Sequence, residues 1–271
     1  MATDTFKFTG ACSANYDNFL GPFLFEPYGK EMASRIPKTT IHSVLEMACG
    51  TGRVTRHLRE QLPPSVKLTA SDLSPDMMEV AKTKVKGDVE FLVADMQNLP
   101  FKDNGFDVVV CQFGIMFPPD KQKIFDQAYR VLKPGGTFLF STWEKTDRVE
   151  IFKLIYNEHI LPFFKGEETS RFLIPFSLHD THQLQLLLNN SHFNNAKIER
   201  VVLKGISQSA ADIVKGHFTT HAIGLEIAER NRQVFESMAQ QMEKTIIDRF
   251  SNNPVVCELA AYYGSGTKPM S

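Results

Sequence analysis

The sequence predicts an α/β fold built on a mostly parallel, doubly wound sheet, and three observations predict it. First, the short apolar run Ser43 to Leu45 leads through Glu46 and Met47 into Ala48-Cys49-Gly50-Thr51-Gly52, which reads as a buried strand entering a tight glycine turn. Second, Arg53 to Leu62 places Val54, Leu58 and Leu62 on one helical stripe, and Pro63-Pro64 ends it. Third, Asp72 lies 20 residues beyond Gly52, at the end of the apolar run Val66 to Ala70. A carboxylate at about that distance past a glycine turn typically accepts hydrogen bonds from ribose hydroxyls, so the arrangement reads as a nucleoside site.

The alternation continues. Ser74 can cap a helix with Pro75 at its first position and Met77, Ala81 and Val85 inward. Val89 to Ala94 is a third strand ending at Asp95, and Phe106 to Cys111 is a fourth, after a turn at Asp103-Asn104-Gly105. Asp120 precedes a helix with Ile124, Phe125, Ala128, Val131 and Leu132 inward. Lys133-Pro134-Gly135-Gly136 closes that helix as a turn into a fifth strand, Thr137 to Thr142.

The second half is less regular. Glu150 to Leu161 reads as a helix, and Pro162 to Leu178, rich in phenylalanine and proline, as a lid. Thr181 to Leu188 is a helix, while Ala196 to Ile206 and Val255 to Tyr262 are the sixth and seventh strands. Between these strands Met238, Met242, Ile246 and Phe250 form the stripe of a helical insertion, explained by core packing or by a partner helix. The expected organisation is therefore a helical cover over 1–35, an α/β core over 36–145 and a lid over 146–180. Residues 181–263 complete seven strands around the insertion 210–250, and 264–271, opening on Gly264-Ser265-Gly266, form a flexible tail.

Composition narrows the function. Thirty basic and 31 acidic residues leave a formal charge of −1, so neither nucleic acid nor an anionic membrane is an expected partner. Cys12, Cys49, Cys111 and Cys257 match no metal or disulfide spacing. Without a signal core or a bilayer-length apolar run, the expected location is cytoplasmic. The oligomeric state is open.

The turn alone is ambiguous between cofactors. A nicotinamide dinucleotide requires GxGxxG, and the third glycine is missing here. Glu46, just before the turn, would repel a pyrophosphate and suit a cationic amine. On these residues, Glu46 followed by the ACGTG string, the chain resembles the class I S-adenosylmethionine-dependent methyltransferases, in their small-molecule, UbiE-like branch. Val93-Ala94-Asp95-Met96, the fourth strand through Gln112 and Phe113, and the turn at Lys133 to Gly136 match the family too. So does the stretch from Tyr16 to Tyr28, which resembles an amino-terminal helix laid over the donor.

The resemblance implies a Rossmann-like, seven-stranded class I methyltransferase fold with S-adenosylmethionine as donor and S-adenosylhomocysteine as product. It implies a donor site of Tyr16, Glu46, Ala48, Cys49, Gly50, Gly52, Arg53, Asp72, Leu73, Met77, Asp95, Met96, Gln112 and Phe113. Asp95 would face the adenine amino group and Met96 the ring, with Gln112 and Phe113 near the sulfonium. Ala48 departs from the usual first glycine and adds a methyl there.

In-line methyl transfer draws much of its rate from positioning, so no catalytic residue is legible. His217 and His221 share a helix face and are the first candidates for a base; no nearby acid completes a metal site with them. The phenylalanine-rich segments point to a small, partly apolar acceptor, with Phe117, Phe172 and His217 on the substrate side. The competing readings are an NAD(P)-dependent oxidoreductase and a non-catalytic S-adenosylmethionine-binding regulatory module.

Overall fold

The computed structural model describes residues 11–37, 40–220 and 222–270. The chain runs through α1 (Ala11–Asn15), a π-helical stretch (Tyr16–Phe25), α2 (Glu26–Ser34), β1 (Ser43–Met47), α3 (Arg53–Gln61), β2 (Lys67–Asp72) and α4 (Pro75–Lys84). β3 (Glu90–Val93), β4 (Phe106–Gln112), α5 (Lys121–Val131) and β5 (Leu132–Trp143) follow. Next come α6 (Glu150–Phe152), a second π-helical stretch (Lys153–Ile160), α7 (Leu161–Phe163), a 3-10 segment (Ser170–Phe176), α8 (Thr181–Asn190) and β6 (Asn194–Ser207). α9 (Ala210–Thr220), α10 (Ala222–Arg230), α11 (Arg232–Phe250) and β7 (Val255–Thr267) complete the chain.

Several helices start where a side chain answers an orphan N–H. Ser74 Oγ accepts from Met77 N at 3.3 Å, Asp120 Oδ1 from Lys123 N at 3.0 Å, and Asn231 Oδ1 from Val234 N at 3.1 Å. The Asn231 cap separates α10 from α11, so the expected insertion is three helices among the described residues.

Among the described residues the seven strands lie in the order β3-β2-β1-β4-β5-β7-β6. Pairing is parallel from β3 to β5, with Glu46 beside both Ala70 and Val110, and antiparallel between β5 and β7. The chain winds outward from β1 to β3, then crosses to the other side of β1 to lay down β4. This reversal makes the carboxyl ends of β1 and β4 the switch point of the sheet, where a crevice for ligands opens.

Two expectations about glycine are corrected. Lys133 to Gly136 is not a bare turn: β5 begins at Leu132, and a shift in register against β4 absorbs the extra residues. Gly135 N donates to Lys268 O and Lys268 N to Gly136 O, both at 2.9 Å. Residues 264–267 are not a flexible tail but part of β7, with Gly264 opposite Phe140. A Cβ on Gly264 would lie 2.0 Å from Phe140 Cζ, so the missing side chain makes room for a core ring. Beyond the strand, Lys268 Nζ donates to Asn104 Oδ1, Tyr129 O and Leu132 O at 2.8 to 2.9 Å, tying the end down.

The chain forms two compact units. One comprises the described residues within 28–143, 178–201 and 261–270; the other comprises those within 11–27, 144–177 and 202–260. The expected boundary at residue 35 therefore falls at 27, because Tyr28 and Met32 of α2 are fully buried members of the sheet unit's core. In the helical unit α9 packs closely on the first π-helical stretch: a Cβ on Gly216 would lie 2.6 Å from Leu20 Cδ2. No described helix is long and apolar enough to cross a membrane.

At the amino end of the sheet, Asp107 gathers the N–H groups of His42 and Ser43 at 2.8 Å, the Ser43 hydroxyl and Lys133 Nζ at 2.9 Å. Burial alone would raise its pKa, but Lys133 and these donors outweigh it and bring the carboxyl to about 2. A carboxyl depressed in the folded state contributes stability above its unfolded pKa and loses it as pH falls through the folded one. Denaturant titrations should therefore show stability draining between about pH 4 and about pH 2, and Asp107→Asn should flatten that limb.

Candidate functional site

The site is assembled at the carboxyl end of β1. After Met47 the chain turns left-handed at Ala48 (φ 54°), Gly50 (φ 54°) and Gly52 (φ 81°), then enters α3 at Arg53. Gly52 is demanded twice, since a Cβ there would also lie 2.7 Å from Val85 Cγ2. A Cβ on Gly50 would meet nothing within 4 Å, so a ligand can approach that backbone directly. Ala48 accepts a conformation that costs an L-residue roughly 1 to 2 kcal/mol.

Asp72 at the end of β2 holds this turn. Its Oδ2 accepts from Gly50 N and its Oδ1 from Ser74 N, both at 2.8 Å, and Cys49 N donates to Ser71 O at 3.0 Å. Burial raises the Asp72 pKa, opposed by the N–H groups of Ser74, Gly50 and Leu73. These N–H contacts leave the carboxylate further acceptor capacity.

Glu46 pairs with Ala70 across β1 and β2, so it shares a sheet face with Asp72. It is 1% exposed, and its Oε2 has no hydrogen-bond partner among the described residues. Burial raises its pKa to about 8; Thr55 pulls against that rise and the charge of Asp72 adds to it. A buried, protonated acid with an unanswered oxygen beside an open glycine backbone fits a ligand that brings a cation.

The neighbouring loops complete one side of the crevice. Asp95 Oδ1 accepts from Gln97 N at 2.8 Å, and Ala94 N donates to Asp72 O at 3.0 Å, so the β3 loop is tied to the β2 end. Leu73 is 65% exposed and Met96 half-buried. Met77 is buried on α4, with its N–H on the Ser74 hydroxyl. Gln112 ends β4 in register with Ser141.

Phe113 has a left-handed backbone (φ 51°), rare for a bulky residue, and its N–H donates to Ser141 O at 3.1 Å. Its ring stacks on Trp143, with centroids 3.8 Å apart and planes 5° apart, and meets Tyr28 edge-on at 5.3 Å. Phe117 is half-buried further along the same loop. Nothing in the sequence reading singles out Trp143; its being the single tryptophan, at a strand's carboxyl end, is the available signal.

Tyr16, Phe172 and His217 belong to the helical unit, and His221 lies outside the described residues. His217 is 1% exposed, its Nδ1 lies 2.8 Å from Ile213 O, and its ring meets Tyr156 edge-on. Burial lowers its pKa to about 4, so it is neutral near pH 7 and weakly basic. Among the described residues no group of three or more His, Cys, Asp or Glu side chains could hold a metal ion.

Residues 44–136 match a methyltransferase domain family. The chain is 30% identical to the demethylmenaquinone methyltransferase of Staphylococcus saprophyticus, over 69% of this chain and 86% of that one. It is 33% identical to the demethylmenaquinone methyltransferase of Lactococcus lactis, over 56% of this chain and 64% of the other. It spans about half to two thirds of the length of the first curated relatives it matches. Its fold is similar to that of phosphoethanolamine N-methyltransferase 2 from Haemonchus contortus, solved with S-adenosyl-L-methionine, with a TM-score of 0.60 at 17% identity over 97% of this chain and 58% of that one. With the turn, its two acids and the strand order already in place, these similarities show that the chain belongs to the class I S-adenosylmethionine-dependent methyltransferase family.

Proposed function

We propose that the chain transfers the methyl group of S-adenosylmethionine to a small, partly apolar acceptor. The observation that carries the reading is the Ala48 to Gly52 turn at the switch point, open at Gly50 and flanked by the half-buried carboxyl of Asp72 and the buried one of Glu46. Asp72 accepts from the ribose hydroxyls while holding Gly50. Glu46 meets the ammonium of the methionine portion with its unanswered oxygen. Cys49, Gly50, Gly52 and Arg53 wall the donor with backbone, and Ala48 adds its methyl beside the methionine portion. Leu73 and Met96 take the faces of the adenine ring, and Asp95 its amino group. Gln112 and Phe113 border the reacting methyl.

The donor, when bound, supplies a methyl on a positively charged sulfur; as the acceptor's electron pair forms the new bond, the S–C pair returns to sulfur as a neutral thioether. The protein's part is alignment and exclusion of water, worth several powers of ten in rate. The stacked Phe113 and Trp143 and the edge of Tyr28 offer an apolar wall at the ends of β4 and β5, suited to a flat ring. Demethylmenaquinone methyltransferases among the relatives point the same way, and a quinol-like acceptor is the reading they support. The missing GxGxxG and the acid at Glu46 count against a dinucleotide.

Asp72→Ala is expected to weaken S-adenosylhomocysteine binding by roughly 1.5 to 3 kcal/mol in calorimetry, the range for hydrogen bonds to a charged group. Unchanged affinity would remove Asp72 from the site. Methyl transfer should be measured against a panel of quinols, phenols and short polar amines. Turnover of quinols or phenols is expected, and turnover confined to the polar amines would overturn the acceptor class.

A further inference from the structure

α5 begins with an electrostatic misfit. Lys121 is its first residue, where the helix dipole is positive and a cation is disfavoured. Its ammonium is about half removed from solvent, and burial lowers its pKa to about 8. Among the described residues no carboxylate pairs with it. Each of these features works against a lysine, and a local misfit with no stabilising partner on its own element points to a role elsewhere.

Lys121 Nζ donates to the carbonyls of Met116 and Pro118, at 2.5 Å in the second case. Both belong to the loop that leaves β4, so the cation closes this loop on itself in place of helix or strand bonds. The loop opens with the left-handed Phe113, stacked on Trp143, and continues through Gly114, where a Cβ would come within 2.5 Å of Ala48 Cβ and 3.4 Å of Met96 Cε. Ile115 and Met116 are buried, and Asp120 N donates to Gln97 Oε1 at 3.2 Å beside Asp95. One loop thus touches the first glycine-motif position, the β3 loop and the aromatic wall.

We propose that Lys121 is a positioning residue: by bridging the Met116 and Pro118 carbonyls it fixes the loop after β4, and with it the seat of Phe113 and Gly114 against the donor site. The inference rests on the donor reading above and assigns to that site a residue 9 positions beyond Gln112 that touches no donor-site side chain itself. A neutral side chain of similar length would leave two carbonyls facing one another and release the loop. Arginine keeps the charge and the donors.

The test compares the parent with Lys121→Met and Lys121→Arg, at a temperature where all three are folded by circular dichroism. Amide exchange reads the loop, Trp143 reports on Phe113 as the single tryptophan, and calorimetry with S-adenosylhomocysteine reads the site. In Lys121→Met, exchange over residues 114–119 should speed up, Trp143 emission should shift, and affinity should fall about tenfold, as for other residues that act on a site through packing. Lys121→Arg should restore all three towards the parent. Parent-like exchange in Lys121→Met overturns the clamp, and faster exchange with unchanged affinity overturns its service to the site. Should the parent itself bind no S-adenosylhomocysteine, the donor reading fails, and exchange and emission alone then decide the clamp.

Discussion

Two carboxyls on one face of the sheet, the buried Glu46 and the half-buried Asp72, govern the turn between β1 and α3. Asp72 is bonded to the turn it shapes: the same group that takes Gly50 N–H on one oxygen takes Ser74 N–H on the other, locking two loops to one point. Glu46 is answered only by Thr55 and keeps Oε2 unpartnered, and its proximity to Asp72 makes a second negative charge unfavourable. The pair is therefore asymmetric, one acid structural and solvating, the other neutral until a cation arrives. Everything downstream, from the left-handed Ala48 to the close approach of Gly114, is arranged around that turn.

The sheet topology explains why these groups meet. β1 and β4 are neighbours although β2 and β3 intervene in sequence, so residues that end β1, β2 and β4 converge at one edge. The loops at that edge are tied by few bonds: Asp72 to Gly50, Ala94 to Asp72, Gln97 to Asp120 and Lys121 to its own loop. Such a site is held rigid by connections between loops rather than by strands alone, which suits a reaction driven by alignment.

The strands and the glycine turn were legible because they depend on local rules. Backbone handedness at Gly50 and Gly52, the continuous buried run of β4 and the Ser74 cap with Pro75 each leave a short-range trace in sequence. Gly264 was misread because a glycine that clears room for Phe140 looks, in one dimension, like a flexible one. The Phe113 and Trp143 stack was illegible for the same reason, since it joins residues that meet only after β4 and β5 pair, while the Lys121 clamp is local but depends on loop carbonyls that no side-chain pattern reports. The π-helical stretches Tyr16–Phe25 and Lys153–Ile160 keep a helical pattern in sequence while changing the bond from i+4 to i+5, so periodicity alone does not report them.

The donor site described above requires Glu46 to be protonated in the free protein and ionised beside a bound ammonium. Calorimetry of S-adenosylhomocysteine binding near pH 7, repeated in buffers of different ionisation enthalpy, measures this directly. The predicted result is release of close to one proton on binding, since an acid with a pKa of about 8 is driven to ionise, with the release abolished in Glu46→Gln. Binding that releases no proton in the parent would contradict the account.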